Sequence, residues 1–171
     1  NFINQLFDLL LELFLQRERI FITMTKEFEN IGVCEVLLKS IKDAKFENPS
    51  EIQAKAIPLV LAGKDVIGGS ATGSGKTLAF GCGIIQKIKP NKGIQALILT
   101  PTRELAEQIT NALKKFGEYT KLKIISVYGG VSINPQITHL RDADIVIGTP
   151  GRILDHIQRR TINLLKILIK L

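Results

Sequence analysis

The stretch Ser70-Ala71-Thr72-Gly73-Ser74-Gly75-Lys76-Thr77 sits between the apolar pair Val66-Ile67 and an apolar run that starts at Leu78. Strand, loop and helix in that order is what a phosphate-binding loop requires. Glycines let the backbone curl until several N–H groups point at one anion, and the following helix adds its positive end. Lys76 would reach outer phosphates as a compact cation, and the hydroxyl of Thr77 would take one position on a phosphate-bound Mg²⁺. Ser70 stands where the usual pattern opens with Gly or Ala, and it is still small enough for the turn.

The chain has 171 residues, 45% of them hydrophobic, which suffices for one core. A formal charge of +7 fits a polyanionic partner, although lysines dispersed over solvated faces give the same total. Cys34 and Cys82 lie far apart without a CxxC pair, and His139 and His156 are the other soft ligands. That argues against a metal centre or disulfide framework and for free thiols in a reducing, cytoplasmic setting.

Residues 1–23 form an apolar N-terminal extension in which Asn4, Asp8, Glu12 and Gln16 recur every fourth residue. This spacing predicts a helix with one polar stripe. The run is too short and too often interrupted by carboxylates to span a bilayer, and no basic region precedes it. Met24 is read as the natural start, with residues 1–23 foreign to the fold and the domain occupying 24–171. A genuine partner-binding or membrane-surface helix is the competing reading.

From Phe28 to Ile41 the apolar spacing predicts one helix, and Ser50 then caps a second that Pro58 should end or kink. Val66-Ile67 is expected as a short strand, followed by the glycine loop and a helix through Ile88 whose Gly81 and Gly83 imply close packing. Beyond Ala96-Leu97-Ile98-Leu99, an unbroken apolar strand, helix and strand alternate. Helices are expected over 103–116, 134–140 and 150–159, and strands over 122–127 and 144–147. This is an α/β chain with a parallel sheet covered by helices on both faces and ligand loops at the carboxyl ends of its strands.

Those loops carry Pro101-Thr102-Arg103-Glu104-Leu105-Ala106, Gly129-Gly130 and Thr149-Pro150-Gly151-Arg152, and upstream stands Phe46-Glu47-Asn48-Pro49-Ser50-Glu51-Ile52-Gln53. With the glycine loop, their order and spacing over about residues 25–168 resemble the DEAD-box RNA helicases. The segment from Phe46 to Gln53 looks like the family's Q motif, with Phe28 at the place of its isolated upstream aromatic. Lys45 replaces a usual glycine, and Glu51 a common proline. The resemblance implies a RecA-like domain that binds ATP and Mg²⁺. A glutamine amide complements the adenine N6/N7 edge, so Gln53 would select adenine while Phe46 packs on the base. Thr102 and Thr149 can cap helices, and Arg103 and Arg152 would set charge beside the sugar-phosphate backbone of one RNA strand, held without sequence preference.

In the family a strand resembling Lys166-Ile167-Leu168-Ile169 runs into Asp-Glu-Ala-Asp, whereas here Lys170 and Leu171 follow. The expectation is therefore an incomplete amino-terminal RecA-like domain of a DEAD-box helicase, lacking its catalytic carboxylates and second domain and inactive alone. A non-catalytic nucleotide- or RNA-binding module, or a pseudo-helicase serving protein interaction, remains open.

Overall fold

The computed structural model describes residues 26–171, so the reading of an apolar extension over 1–23 lies outside the described residues. A helical turn at 26–30 is followed by α1 (Glu35–Asp43) and α2 (Glu51–Leu61), then α3 (Lys76–Lys87). Strands and helices then alternate as β1 (Ala96–Leu99), α4 (Arg103–Phe116), β2 (Ile124–Val127), α5 (Asn134–Leu140), β3 (Ile145–Gly148) and α6 (Pro150–Gln158). A 3₁₀ turn at Leu164–Lys166 leads to β4 (Ile169–Lys170).

The four strands lie in the order β2-β3-β1-β4, and every pairing is parallel. Side chains alternate across such a sheet. Ala96, Ile98, Ile124, Ile145 and Ile147 therefore face one way and join Phe28, Leu37, Ile57, Leu78, Ile84 and Leu113 in the larger core. Leu97, Val127 and Val146 face the other way, onto Leu140, Ile153, Ile162 and Ile167. With both faces covered, the strands have no polar face to show, which is why they read as unbroken apolar runs. Asp144, fully buried just before β3, closes the opposite end of the sheet. Its carboxylate accepts from the Asn91 and Lys123 amides at 2.8 and 2.9 Å, so one side chain joins the approaches to three strands.

Helix α3 packs close to its neighbours because it presents glycines at the contacts. A Cβ on Gly83 would lie 2.1 Å from Val60 Cγ1, and one on Gly81 would lie 2.7 Å from Leu113 Cδ2. Cys82, between them, is wholly buried, and burial, with Cys34 adding to it, pushes its thiol up to about 12.

The structure corrects four local expectations. The helix expected from Phe28 to Ile41 is broken, because Gly32 takes φ +95° and turns the chain between 30 and 35. Pro58 does not end α2, which runs to Leu61; the proline is exposed, where water can satisfy the carbonyl freed by its missing N–H. Val66-Ile67 forms no strand, and Ile67 is fully exposed. Two apolar residues flanked by Gly63 and Gly68 make too few ladder bonds to hold an extended segment without a matched neighbour, and β4 is itself only two residues long. The last strand forms at Ile169–Lys170 rather than over 166–169, because the 3₁₀ turn takes up Leu164–Lys166.

The contact at Gly83 supplies a stability test. Gly83→Ala gains helix propensity of about 1 kcal/mol but forces a methyl into Val60 at an overpacking cost of about 1–3 kcal/mol, so a net loss of up to about 2 kcal/mol is expected in urea unfolding. A gain in stability would show that α2 and α3 do not approach this closely.

Candidate functional site

Glycine sets the geometry of the 70–77 loop. Gly75 is the N-cap of α3 with φ +86°, and a Cβ there would fall 2.1 Å from Gln53 Nε2, so only glycine fits both the turn and the approach. Lys76 curls back over the loop and donates to the carbonyls of Ser70 at 2.6 Å and Ala71 at 2.8 Å. The hydroxyls of Ser70 and Ser74 are 2.6 Å apart, and the Ser74 amide bonds the Ala71 carbonyl at 3.3 Å. Thr72 and Gly73 form the exposed tip. The amides of Gly73, Gly75, Lys76 and Thr77 have no acceptor within the described chain, leaving a set of donors and one ammonium at a helix start. That donor set suits a polyphosphate, and Thr77 offers the hydroxyl suited to a cation bound to it.

Two side chains of α2's first turn tie that helix to the loop. Ser50 donates its hydroxyl to the Ser74 carbonyl at 2.7 Å, while Gln53 Nε2 donates to the Gly75 carbonyl at 3.1 Å. Gln53 Oε1 also accepts from the Ser50 amide at 2.9 Å, completing a capping box. Gln53 is thus 2% exposed and engaged on both amide atoms, holding the loop rather than facing solvent. A cavity of about 370 Å³ lies beside it, lined by Ser50, Ile52, Lys55, Ser70, Ala71 and Ser74. Phe46 is half-buried, with its ring centroid 6.0 Å from that of Phe116. Phe28, the upstream aromatic that the resemblance implied for nucleotide binding, is fully buried in the larger core and has no surface to offer a ligand.

A second cluster forms where β1, β2 and β3 end. The ladder continues one step past the strands, with Thr100 N–H bonding the Gly148 carbonyl at 3.0 Å and Thr149 N–H the Val127 carbonyl at 3.2 Å. The three following loops are therefore side by side. Exposed Pro101 leads to Thr102, whose hydroxyl caps α4 by accepting from Leu105 N–H at 3.2 Å. Arg103, half-exposed, lies 4.6 Å over the Tyr128 ring and 3.5 Å from Glu107. The Tyr128 hydroxyl donates to Glu107 at 2.5 Å, which holds the carboxyl low and the phenol high.

Gly129 and Gly130 are exposed. Thr149 is the N-cap of α6, with Pro150 in its first turn and Gly151 exposed, but its side chain makes no capping bond, contrary to expectation. Arg152 departs further. Its side chain is only 12% exposed, Nη2 donates to the Val131 carbonyl at 2.9 Å, and Nη1 is buried without an acceptor. The guanidinium grips the Gly-Gly loop instead of standing out as a free charge.

Sequence reasoning missed the residues behind this cluster. Gln136, buried on α5, donates Nε2 to the carbonyls of Tyr128 at 3.2 Å and Ser132 at 3.3 Å. Its Oε1 lies 3.3 Å from Nε2 of His156, whose Nδ1 is 2.9 Å from the Thr161 hydroxyl. Gln136 Oε1 can only accept, so the ring carries its proton on Nε2 and Nδ1 is left as an acceptor for the Thr161 hydroxyl, which also reaches the His156 carbonyl at 2.9 Å. The available signal was positional: His156 stands four residues after Arg152 and so shares its helix face.

A parallel α/β sheet with a glycine loop opening a helix beside it is the frame of a nucleotide-binding α/β domain, of which the RecA-like domain is one kind. Solved structures agree. A DEAD box protein from Methanococcus jannaschii superposes with a TM-score of 0.79 at 44% identity, over 82% of this chain and 39% of that one. Dbp5 of Saccharomyces cerevisiae, bound to RNA and ADP BeF3, gives 0.76 at 36% identity, over 85% of this chain and 37% of that one. The DEAD/DEAH box helicase family model matches residues 50–170, and the chain belongs to that family. It is 47% identical over 143 residues to the RNA helicase CrhR of Synechocystis sp., covering 83% of this chain, and to the DEAD-box ATP-dependent RNA helicase CshA of Bacillus subtilis, covering 82%. The chain spans 29% of the length of each of these two relatives.

The buried histidine predicts a pH dependence. Burial, first, and then Arg152 and Arg159 hold the His156 ring below its ordinary value of 6.5, while Asp155 opposes them. The unfolded chain therefore takes up a proton at a higher pH than the folded one. Stability should be fully present above about 6.5 and decline as pH falls through the window below it. Urea midpoints measured across that window should fall for the wild type and fall less for His156→Gln. Equal slopes would remove His156 as the cause.

Proposed function

We propose that this domain binds ATP with Mg²⁺ through the 70–77 loop and the backbone of single-stranded RNA through the loops after β1, β2 and β3. Residues 24–171 are read as part of the amino-terminal RecA-like half of an ATP-dependent RNA helicase. The observation that carries the reading is the loop itself: four unpartnered amides and the Lys76 ammonium converge at the start of α3. Nucleotide phosphates would take those amides and draw Lys76 off the Ser70 and Ala71 carbonyls, exchanging neutral acceptors for charged ones. Bound Mg²⁺, held in part by Thr77, would neutralise phosphate charge.

Adenine preference is assigned to Gln53, with Phe46 beside the base. Each amide atom of Gln53 retains one unused valence after its bonds to Ser50 and Gly75, so it can meet a base edge with a small displacement of the loop. The RNA-facing groups are the half-exposed Arg103, bare Gly129-Gly130 and the ends of α4 and α6 near Thr102 and Thr149. Relatives named as RNA helicases and a structural neighbour solved with RNA support that choice of nucleic acid.

Calorimetric titration of the chain with ATP and GTP tests the nucleotide half. ATP should bind more tightly than GTP, Lys76→Ala should bind neither measurably, and Gln53→Ala should weaken both while narrowing their ratio. Equal affinity of the wild type for GTP would remove Gln53 as the selector, and undiminished binding by Lys76→Ala would remove the phosphate-loop assignment.

A further inference from the structure

The carbonyls of the loop after β2 are held by side chains from two different helices. Gln136 takes Tyr128 and Ser132, and Arg152 takes Val131. In a trans peptide the C=O of one residue and the N–H of the next point in opposite directions. Fixing these three carbonyls inward therefore turns the amides of Gly129, Ser132 and Ile133 outward, and none of the three has an acceptor among the described residues.

The glycines add an independent observation. Gly130 needs its φ of +80°, but Gly129 has no positive φ, and a Cβ on it would meet nothing within 4 Å. Nothing inside the fold explains the bareness of Gly129, whereas an approaching backbone would use it.

We propose that Gln136, Arg152 and His156 are positioning residues that preset the Gly129 and Ser132 amides as donors to one phosphate of single-stranded RNA. This rests on the reading that this end of the sheet carries RNA. Arg152 acts through the loop and not by touching the phosphate, and its charge is partly answered by Asp155 at 4.0 Å. His156 fixes Gln136 from behind by donating Nε2–H to Oε1, with Thr161 holding the other ring nitrogen. The loops after β2 and β3 thus form one hydrogen-bonded unit, and Arg103 over Tyr128 joins the loop after β1 to it.

The test is fluorescence anisotropy of the full chain with a labelled uridine oligonucleotide over a series of KCl concentrations. Gln136→Leu and Arg152→Ala should each weaken binding about fivefold, the effect of one or two lost hydrogen bonds, with the salt slope unchanged. Arg103→Ala should lower the slope by about 0.7. The double variant Gln136→Leu/Arg152→Ala should lose less than the product of the single losses, because both act on the same loop.

A slope lowered by about 0.7 in Arg152→Ala, with affinity restored in Arg152→Lys, would make Arg152 a direct phosphate ligand and overturn the proposal. Wild-type affinity in Gln136→Leu would do the same. Amide exchange provides a readout without RNA: Gly129 and Ser132 should exchange differently in Gln136→Leu and Arg152→Ala, and unchanged rates would overturn the positioning role. If those rates change while the wild-type chain binds no RNA, the RNA reading falls and the loop-holding role stands.

Discussion

Strand β3 is hydrogen-bonded along its length to β1 on one side and β2 on the other, all in parallel. Parallel pairing sends three successive strands out through the same edge. Residues distant in sequence, such as Arg103, Gly129 and Arg152, are thereby delivered to one surface by backbone geometry alone. The matched registers of Leu99 and Val127 against Gly148 fix how far each loop protrudes. A close fit at Gly148, where a Cβ would lie 2.5 Å from the Val127 carbonyl, keeps that edge tight.

The glycine loop depends on a different support. With Val66-Ile67 outside the sheet, the loop is not held by the strand that the sequence suggested, and it is anchored instead from α2 through Ser50 and Gln53. The closeness of α2 to α3, allowed by Gly83, puts those side chains within reach. A contact in the core more than one helical turn from the loop thus determines whether the anchors can form.

Much of this was legible in sequence. Helices over 103–116 and 134–140 were readable from their spacing, the first also from Thr102 as its cap, since such signals are local. Gly81 and Gly83 were readable as contact sites because glycine costs helix propensity and needs a compensating reason. Side-chain assignments were less legible. Thr149 and Arg152 were each given the partner their chemistry could serve, but a donor takes the acceptor that packing brings nearest. Gln136 and His156 escaped notice because a buried glutamine and histidine become informative only when their neighbours are known. The strand at Val66-Ile67 failed for a related reason: ladder formation is a property of two segments, and apolar character describes one.

The two thiols occupy opposite situations. Cys34 is exposed at the start of α1, whereas Cys82 is fully buried under the glycine-loop helix and, with its thiol pushed up to about 12, is almost wholly protonated at neutral pH. Alkylation is a reaction of the thiolate with an accessible reagent, so the folded chain carries one fast site and one silent site. Modification of Cys82 has to wait for α3 to part from α4 or α2, and its rate is then a clock for opening beneath the glycine loop, with Cys34 as the internal standard for reagent strength.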